Sequence, residues 1–261
     1  MILPGLLAGF PLLAAIIVFF LKGEREQNVV VKLSSAITIV LSLAVTAVYF
    51  GHPGLLPFMG AGMTHFMLAI DMVTAAAILY FTIIKYKRYW IGLLAAVQSG
   101  LILWFEYVKG GEISVFSNFS VDNFTLIMVL IAGIIGSLIA VFSLGYMEEF
   151  HKEHPDVADR RPFFFFVIFL FLAAMFGLVL SNNLLFMYAC WEVTSFCSFL
   201  LIGYTGTKEA IHNSFEALWM NLLGGLAFAL AIVWLGFQYE TVELSMLLNL
   251  GRSSQPVELA V

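Results

Sequence analysis

Apolar residues run in long blocks along this chain, and the charged residues fall in the gaps between them. Eight blocks reach the length needed to cross a bilayer: roughly 2–21, 29–50, 64–84, 89–108, 122–146, 163–180, 184–204 and 215–236. About twenty helical residues span the roughly 30 Å hydrocarbon core. The interruptions are chemically plain. Lys22 to Gln27 ends the first block, Gly51-His-Pro-Gly54 the second, and Lys85-Tyr-Lys-Arg88 the third. Lys109 to Glu112 ends the fourth and a charged loop from Glu148 to Arg161 follows the fifth. Ser181-Asn-Asn183 is a tight turn, and Gly203 and Gly206 flank the next exit. The pattern predicts an all-α, polytopic transmembrane helix bundle of about eight spans. Residues 237–261 are mixed and polar, with an apolar patch at Leu244–Leu250 too short to span.

Composition sharpens the class. Of 261 residues, 62% are hydrophobic and 11% charged, whereas a soluble domain carries about a quarter charged residues. That excludes a soluble domain. No basic cluster of the kind that binds nucleic acid is present. Cys190 and Cys197 both lie within a span and fit neither a disulfide framework nor a metal-ligand spacing; they read as small packing residues. The N-terminus has no charge before Lys22 and no small-residue cleavage site, so the first block reads as a retained helix, not a signal peptide.

The Lys/Arg bias sets an expected orientation. One side collects Lys22, Arg25, Lys85, Lys87, Arg88, Lys152, Arg160, Arg161 and Lys208, with Lys32 just inside the second span. The other holds only Lys109 and Arg252. The basic side is expected to be cytoplasmic, which sends both termini outward from the cell membrane.

Polar residues inside the spans carry the candidate chemistry. Glu192 falls near the middle of the 184–204 span, where an ionised carboxylate is costly, so an intramembrane acid is a functional candidate by default. The alternative is a glutamate that hydrogen-bonds a neighbouring helix and locks packing. Thr194, Ser195 and Ser198 follow it, and only Ser195 shares its face closely; such hydroxyls relay protons or serve as helix–helix glue. Asp71 lies deep in the third span, with His65 a turn and a half earlier; a buried, protonated carboxyl bonded to a backbone carbonyl is its plainer reading. Glu106 lies near an outer helix end, within reach of headgroups. Asp122 starts a helix, where it would cap free N–H groups. Asn221 suits a packing hydrogen bond, and His212 and Glu216 stand at the last span's cytoplasmic end. No span offers a mid-membrane Lys or Arg. Glu192 is therefore expected to be neutral at pH 7 unless a neighbouring subunit or a water file reaches it. No redox ligand set, nucleotide fingerprint or internal repeat is visible, so no cofactor or metal is expected in this chain.

Several segments together resemble the antiporter-like subunit family: the ion-translocating subunits of complex I, of membrane-bound energy-converting hydrogenases and of multisubunit cation/proton antiporters. They are Asp122-Asn-Phe-Thr-Leu-Ile-Met128, Phe142-Ser-Leu-Gly-Tyr-Met147, Phe164 to Tyr188, the run from Trp191-Glu192 to Ile202-Gly-Tyr204, and Glu216 to Ala227 with its Gly224-Gly225 pair. The resemblance covers about residues 120–236. It implies that Glu192 takes part in proton or cation translocation. In the family a lysine on the second helix after the glutamate helix tunes that acid, and this chain stops where that helix would begin. It implies three regions: N-terminal helices 1–112, which include an additional helix pair at 64–108; antiporter-like core helices 113–236; and a polar tail 237–261. The chain reads as a natural half-subunit or a piece of a longer one.

The function expected is therefore a proton- or sodium-translocating membrane subunit of a multisubunit redox-driven complex or a cation/proton antiporter, with other membrane subunits and the lipid bilayer as partners. The alternative is a non-translocating scaffold subunit of the same kind of complex. A stand-alone secondary transporter would want repeats or broken helices in matching positions. Site residues, in order of weight, are Glu192, then Asp71, Ser195 and Asn221.

Overall fold

The computed structural model describes residues 2–21, 23–52, 54–56, 62–110, 113 and 115–253, without the side chains of 2, 62–65 and 252–253. The helices are α1 (Ile2–Phe20), α2 (Glu24–Tyr49), α3 (Gly62–Leu79), α4 (Tyr89–Lys109), α5 (Asn123–Leu130), α6 (Gly136–Glu153), α7 (Arg161–Leu180), α8 (Leu184–Ile202), α9 (Lys208–Tyr239) and α10 (Leu244–Ser253). A wider π turn, Tyr80–Lys85, continues α3, and another, Ile131–Ile135, joins α5 to α6. Counting α5–α6 as one, eight helices among the described residues are long and apolar enough to cross a membrane. The protein is an all-α membrane helix bundle.

Local chemistry sets the helix ends. Asp122 Oδ1 accepts from the Thr125 N–H at 2.7 Å, Asn183 Oδ1 from Leu185 N–H at 2.9 Å, and Thr207 Oγ1 from Ala210 N–H at 3.2 Å. Each supplies an acceptor to an N–H that has no carbonyl of its own. Three helices outrun the apolar blocks. α2 begins at Glu24, α6 continues to Glu153 and α9 starts at Lys208. Polar residues outside the hydrocarbon do not stop a helix: Glu24 and Glu26 sit favourably at a helix N-terminus, and Glu148 pairs with Lys152 one turn on at 2.9 Å.

The helices form two groups of four, joined where α7 packs along α8. In the first, α1 lies against α7 and α2, and α5–α6 packs on α2 and α7. Ala14 and Ala15 of α1 and the rings of Phe165, Phe169 and Phe176 of α7 share its buried core. α5–α6 comes close to α2 at Gly133, where a Cβ would run into the Ser42 side chain; small residues allow such approaches in membranes. In the second group, α3 packs on α4 and α8, and α9 on α4 and α8. The helix pair 64–108 thus completes a four-helix unit around α8 and α9.

The connections alternate between two faces. On one, β1 (Gly54–Leu56) pairs antiparallel with β2 (Phe119–Val121), Gly54 opposite Val121 and Leu56 opposite Phe119. Phe119 also bridges to Ser181, and Asn183 to Glu243. This strand face therefore gathers the ends of α2, α4, α7 and α9. The opposite, basic face gathers the other turns: Arg161 bonds Asp159 at 2.8 Å and also Glu24, and Arg160 donates to the Tyr204 carbonyl at 2.7 Å. Lys22 falls outside the described residues. Aromatic residues mark both ends of α4, with Tyr89 and Trp90 exposed at the basic face and Trp104 and Tyr107 near the strand face, an arrangement suited to the two interfaces of a bilayer.

The segment after α9 does not trail away as a polar tail would. Glu240 takes a left-handed conformation, φ 51°, that ends α9, and Thr241, Val242 and Glu243 are buried. Glu243 accepts from the backbone N–H of Phe116, from Ser117 N–H at 3.2 Å and from the Ser117 hydroxyl at 3.3 Å. Asn182 adds bonds to the same cluster, to the Ser117 carbonyl at 2.9 Å and its hydroxyl at 2.8 Å.

Candidate functional site

Within the second group the core is not continuous. Ile78, Ala95, Phe199, Phe215, Leu218 and Leu222 form a buried cluster toward the basic face. Ile102, Phe105, Tyr188, Ala229 and Ile232 belong to another toward the strand face. Between them lies a polar layer of Asp71 from α3, Gln98 from α4 and Glu192 from α8, with Gly225 of α9 lying against Gln98.

Glu192 is only 2% exposed. Its Oε1 accepts from Gln98 Nε2 at 2.6 Å and from the Tyr188 hydroxyl at 2.9 Å. Tyr188 is one turn earlier on the same helix, so the 3.6-residue period alone places it there. Gln98 comes from α4 and fits because position 225 is glycine. A Cβ there would lie 3.0 Å from Gln98 Oε1, closer than ordinary contact. Asp71, also 2% exposed, is brought to this layer by the packing of α3 on α8 and lines one small cavity with Tyr188, the partner of Glu192.

This juxtaposition restricts the chemistry. Neither oxygen of Asp71, nor Glu192 Oε2, nor Gln98 Oε1 has a donor among the described residues. Two carboxyl groups bond each other only with a proton between them, and two adjacent carboxylates repel. No described cation pairs with either acid. Among the described residues no group of three or more His, Cys, Asp or Glu is arranged to hold a metal.

The other sequence candidates stand apart from this layer. The Ser195 hydroxyl donates to the Trp191 carbonyl at 2.9 Å, Thr194 to the same carbonyl at 2.8 Å, and Ser198 to Thr194 at 2.9 Å. Asn221 donates to the Ala217 carbonyl at 3.0 Å. All are bonded back to their own helix. His65's side chain lies outside the described residues, and His212 and Glu216 are exposed at the basic face, 3.9 Å apart. Glu106 joins Asp71 and Tyr188 in lining a cavity of about 10 Å³. Sequence reading missed Gln98 and Tyr188. The tyrosine's i−4 spacing from the acid was a usable signal; a lone amide in an apolar span was not.

Comparison with known proteins agrees with this architecture. Residues 104–156 match the family described as "NADH-Ubiquinone oxidoreductase (complex I), chain 5 N-terminus", and residues 181–259 the family described as "NADH:quinone oxidoreductase/Mrp antiporter, TM". The two matches together take in about half of the chain. A Na(+)/H(+) antiporter subunit A1 of Staphylococcus haemolyticus (strain JCSC1435) is 31% identical over 147 residues, 53% of this chain and 16% of the relative. Its namesake from Staphylococcus aureus (strain JH9) is 30% identical over 129 residues, 49% of this chain and 15% of the relative. The matched region thus spans about a sixth of these relatives' length. The chain belongs to the antiporter-like membrane subunit family of complex I and the multisubunit cation/proton antiporters. It is a multi-pass membrane protein of that family.

Proposed function

We propose that this chain is an ion-translocating subunit of a multisubunit assembly, either a redox-driven complex of the hydrogenase or complex I kind or a cation/proton antiporter. Glu192 is the group that takes up and releases the ion, H⁺ or Na⁺, and Asp71 shares the site with it. Ser195 and Asn221 are flanking polar groups. Other membrane subunits supply the remainder of the path and any electron transfer. The basic face is cytoplasmic by the charge bias. One observation carries the reading: a carboxyl buried at mid-span keeps an oxygen without a donor and is bonded to a tyrosine that shares a cavity with a second buried acid. Helix glue has no use for that arrangement, because a glutamine would satisfy the same partners without the charge.

A scaffold role is the second reading. It is favoured by the lack, among the described residues, of a Lys or Arg bonded to Glu192. Replacement decides between them. Glu192→Gln keeps the size and most hydrogen bonds but cannot exchange a proton. In sealed vesicles carrying the whole assembly it is expected to assemble normally and to lower ion movement about a hundredfold or more. Glu192→Asp keeps part of the activity, since the carboxyl remains but is shorter. Full ion movement in an assembled Glu192→Gln complex would establish the scaffold reading.

A further inference from the structure

We infer that the acid pair communicates with the strand face through α3 and α4, with Asp71 as its second carboxyl and Glu106 as the outer carboxyl of the path. This rests on the translocating reading of Glu192. Three observations carry it. The first is Asp71 itself. Its oxygens are buried with no donor among the described residues, so it is not satisfied by a backbone N–H or a side-chain amide, as a packing residue would be. Its neighbour across the cavity is Tyr188, which is bonded to Glu192.

The second is the cavity of about 10 Å³, room for about one water. Asp71, Tyr188 and Glu106 line it beside Met67, Ile102 and Leu185, and its walls are mainly apolar. Tyr188 is also bonded to Glu192, so the cavity touches Asp71 directly and Glu192 through Tyr188. The third is position along the helices. Gln98, Ile102 and Glu106 recur every four residues on one side of α4, which carries Glu106 about 12 Å beyond Gln98 toward the strand face. Glu106 is half-buried one turn from the helix end at Lys109. Toward the basic face, by contrast, the polar layer is followed by Ile78, Ala95, Phe199 and Leu222, all buried.

The transfer involves protons alone. A proton on Glu192 passes to Asp71 as one carboxyl O–H bond breaks and the other forms. Asp71 gives it to a water in the cavity, and the water gives a proton to Glu106, which releases it at the strand face. Every hop breaks one O–H bond and makes one, and no electron moves.

The test uses the whole assembly in sealed vesicles and compares Glu192→Gln, Asp71→Asn and Glu106→Gln. We expect Asp71→Asn to lower ion movement at least about tenfold and Glu106→Gln about threefold or more. A second measurement probes access. Leu68 lines the same cavity, and Leu68→Cys should react with a small membrane-impermeant thiol reagent added at the strand face but not at the basic face. The unsubstituted protein, whose Cys190 and Cys197 are buried, is the blank. If Asp71→Asn fails to assemble, Glu106→Gln and the labelling decide. Loss of movement in Glu192→Gln alone, with full movement in the other two, would place the path elsewhere. So would labelling of Leu68→Cys from the basic face, or from neither. Full movement in Glu192→Gln overturns the reading beneath this one, and this one with it.

Discussion

The two four-helix groups both bury polar side chains bonded back to their own helix, but the second also ties buried groups across helices. In the first group, α2 carries Ser34, Ser35, Thr38 and Ser42 on its buried face. Thr38 donates to the Ser34 carbonyl at 2.8 Å, Ser42 to Thr38 at 2.9 Å and Thr46 to Ser42 at 2.9 Å. Each bond closes within one turn of one helix. In the second group, the Gln98–Glu192 bond joins residues 94 apart in sequence, and Asp71 comes from a third helix. The first group also retains unbonded atoms, Gln27 Nε2 and the hydroxyls of Ser35 and Ser137, but none is an acid. Hydroxyls bonded to their own helix give two helices a smooth, small-residue surface on which to pack. In the second group an acid is bonded from another helix and other carboxyl oxygens stay unmet, the arrangement that the proposed exchange site would need.

If that distinction holds, after Glu192 and Asp71 the next largest effect belongs to Gln98. Gln98→Leu should leave the assembly intact and lower ion movement on the order of tenfold, because Glu192 loses a donor. Ser42→Ala, in the first group, should leave movement unchanged and cost under about 1 kcal/mol of stability. Equal losses of movement at both positions would break the comparison. At the seam between the groups, Glu243→Ala leaves the N–H groups of Phe116 and Ser117 without their acceptor. It is expected to lower stability by about 2 kcal/mol, read as a lower unfolding temperature in detergent, with Glu192-dependent movement retained in what remains folded. The smallest effect lies at the basic end of the first group. Arg161 holds the Asp159 carboxyl below its ordinary value of 3.8. A carboxyl lowered in the folded state stabilises it at pH above that value, and the contribution is lost as pH falls below it. Thermal unfolding measured on both sides of this value should show a slightly smaller acid destabilisation in Asp159→Asn.

The spans were legible because each apolar block is bounded by charges and the Lys/Arg bias alternates consistently. The overhang of α6 and α9 was not, since hydropathy records where lipid ends and a helix such as 208–215 simply continues into water. The pairing of β1 with β2 was hidden because three-residue strands in loops are matched by where the helices end, not by their own pattern. Glu192 stood out by depth alone. Asp71 was visible as a second deep acid, but its position against Glu192 depends on α3 packing on α8, which no local periodicity encodes. Glu243 was concealed for a related reason: in a mixed, polar stretch, nothing local sets apart the one acid that the loops of the strand face enclose.

The way each polar group finds its partner also bears on the order of synthesis. α2 reaches the bilayer with its Thr38 and Ser42 hydroxyls already bonded within the helix. α3 and α4 bring Asp71 and Gln98 into the membrane 94 or more residues before Glu192 is made. At about 5–20 residues per second, this pair waits roughly 5–20 s for α8. During that interval water, lipid headgroups or the insertion machinery must answer its polar groups. The helix pair that supplies the partner of the central acid is therefore also the part of the nascent chain most dependent on help before the bundle closes.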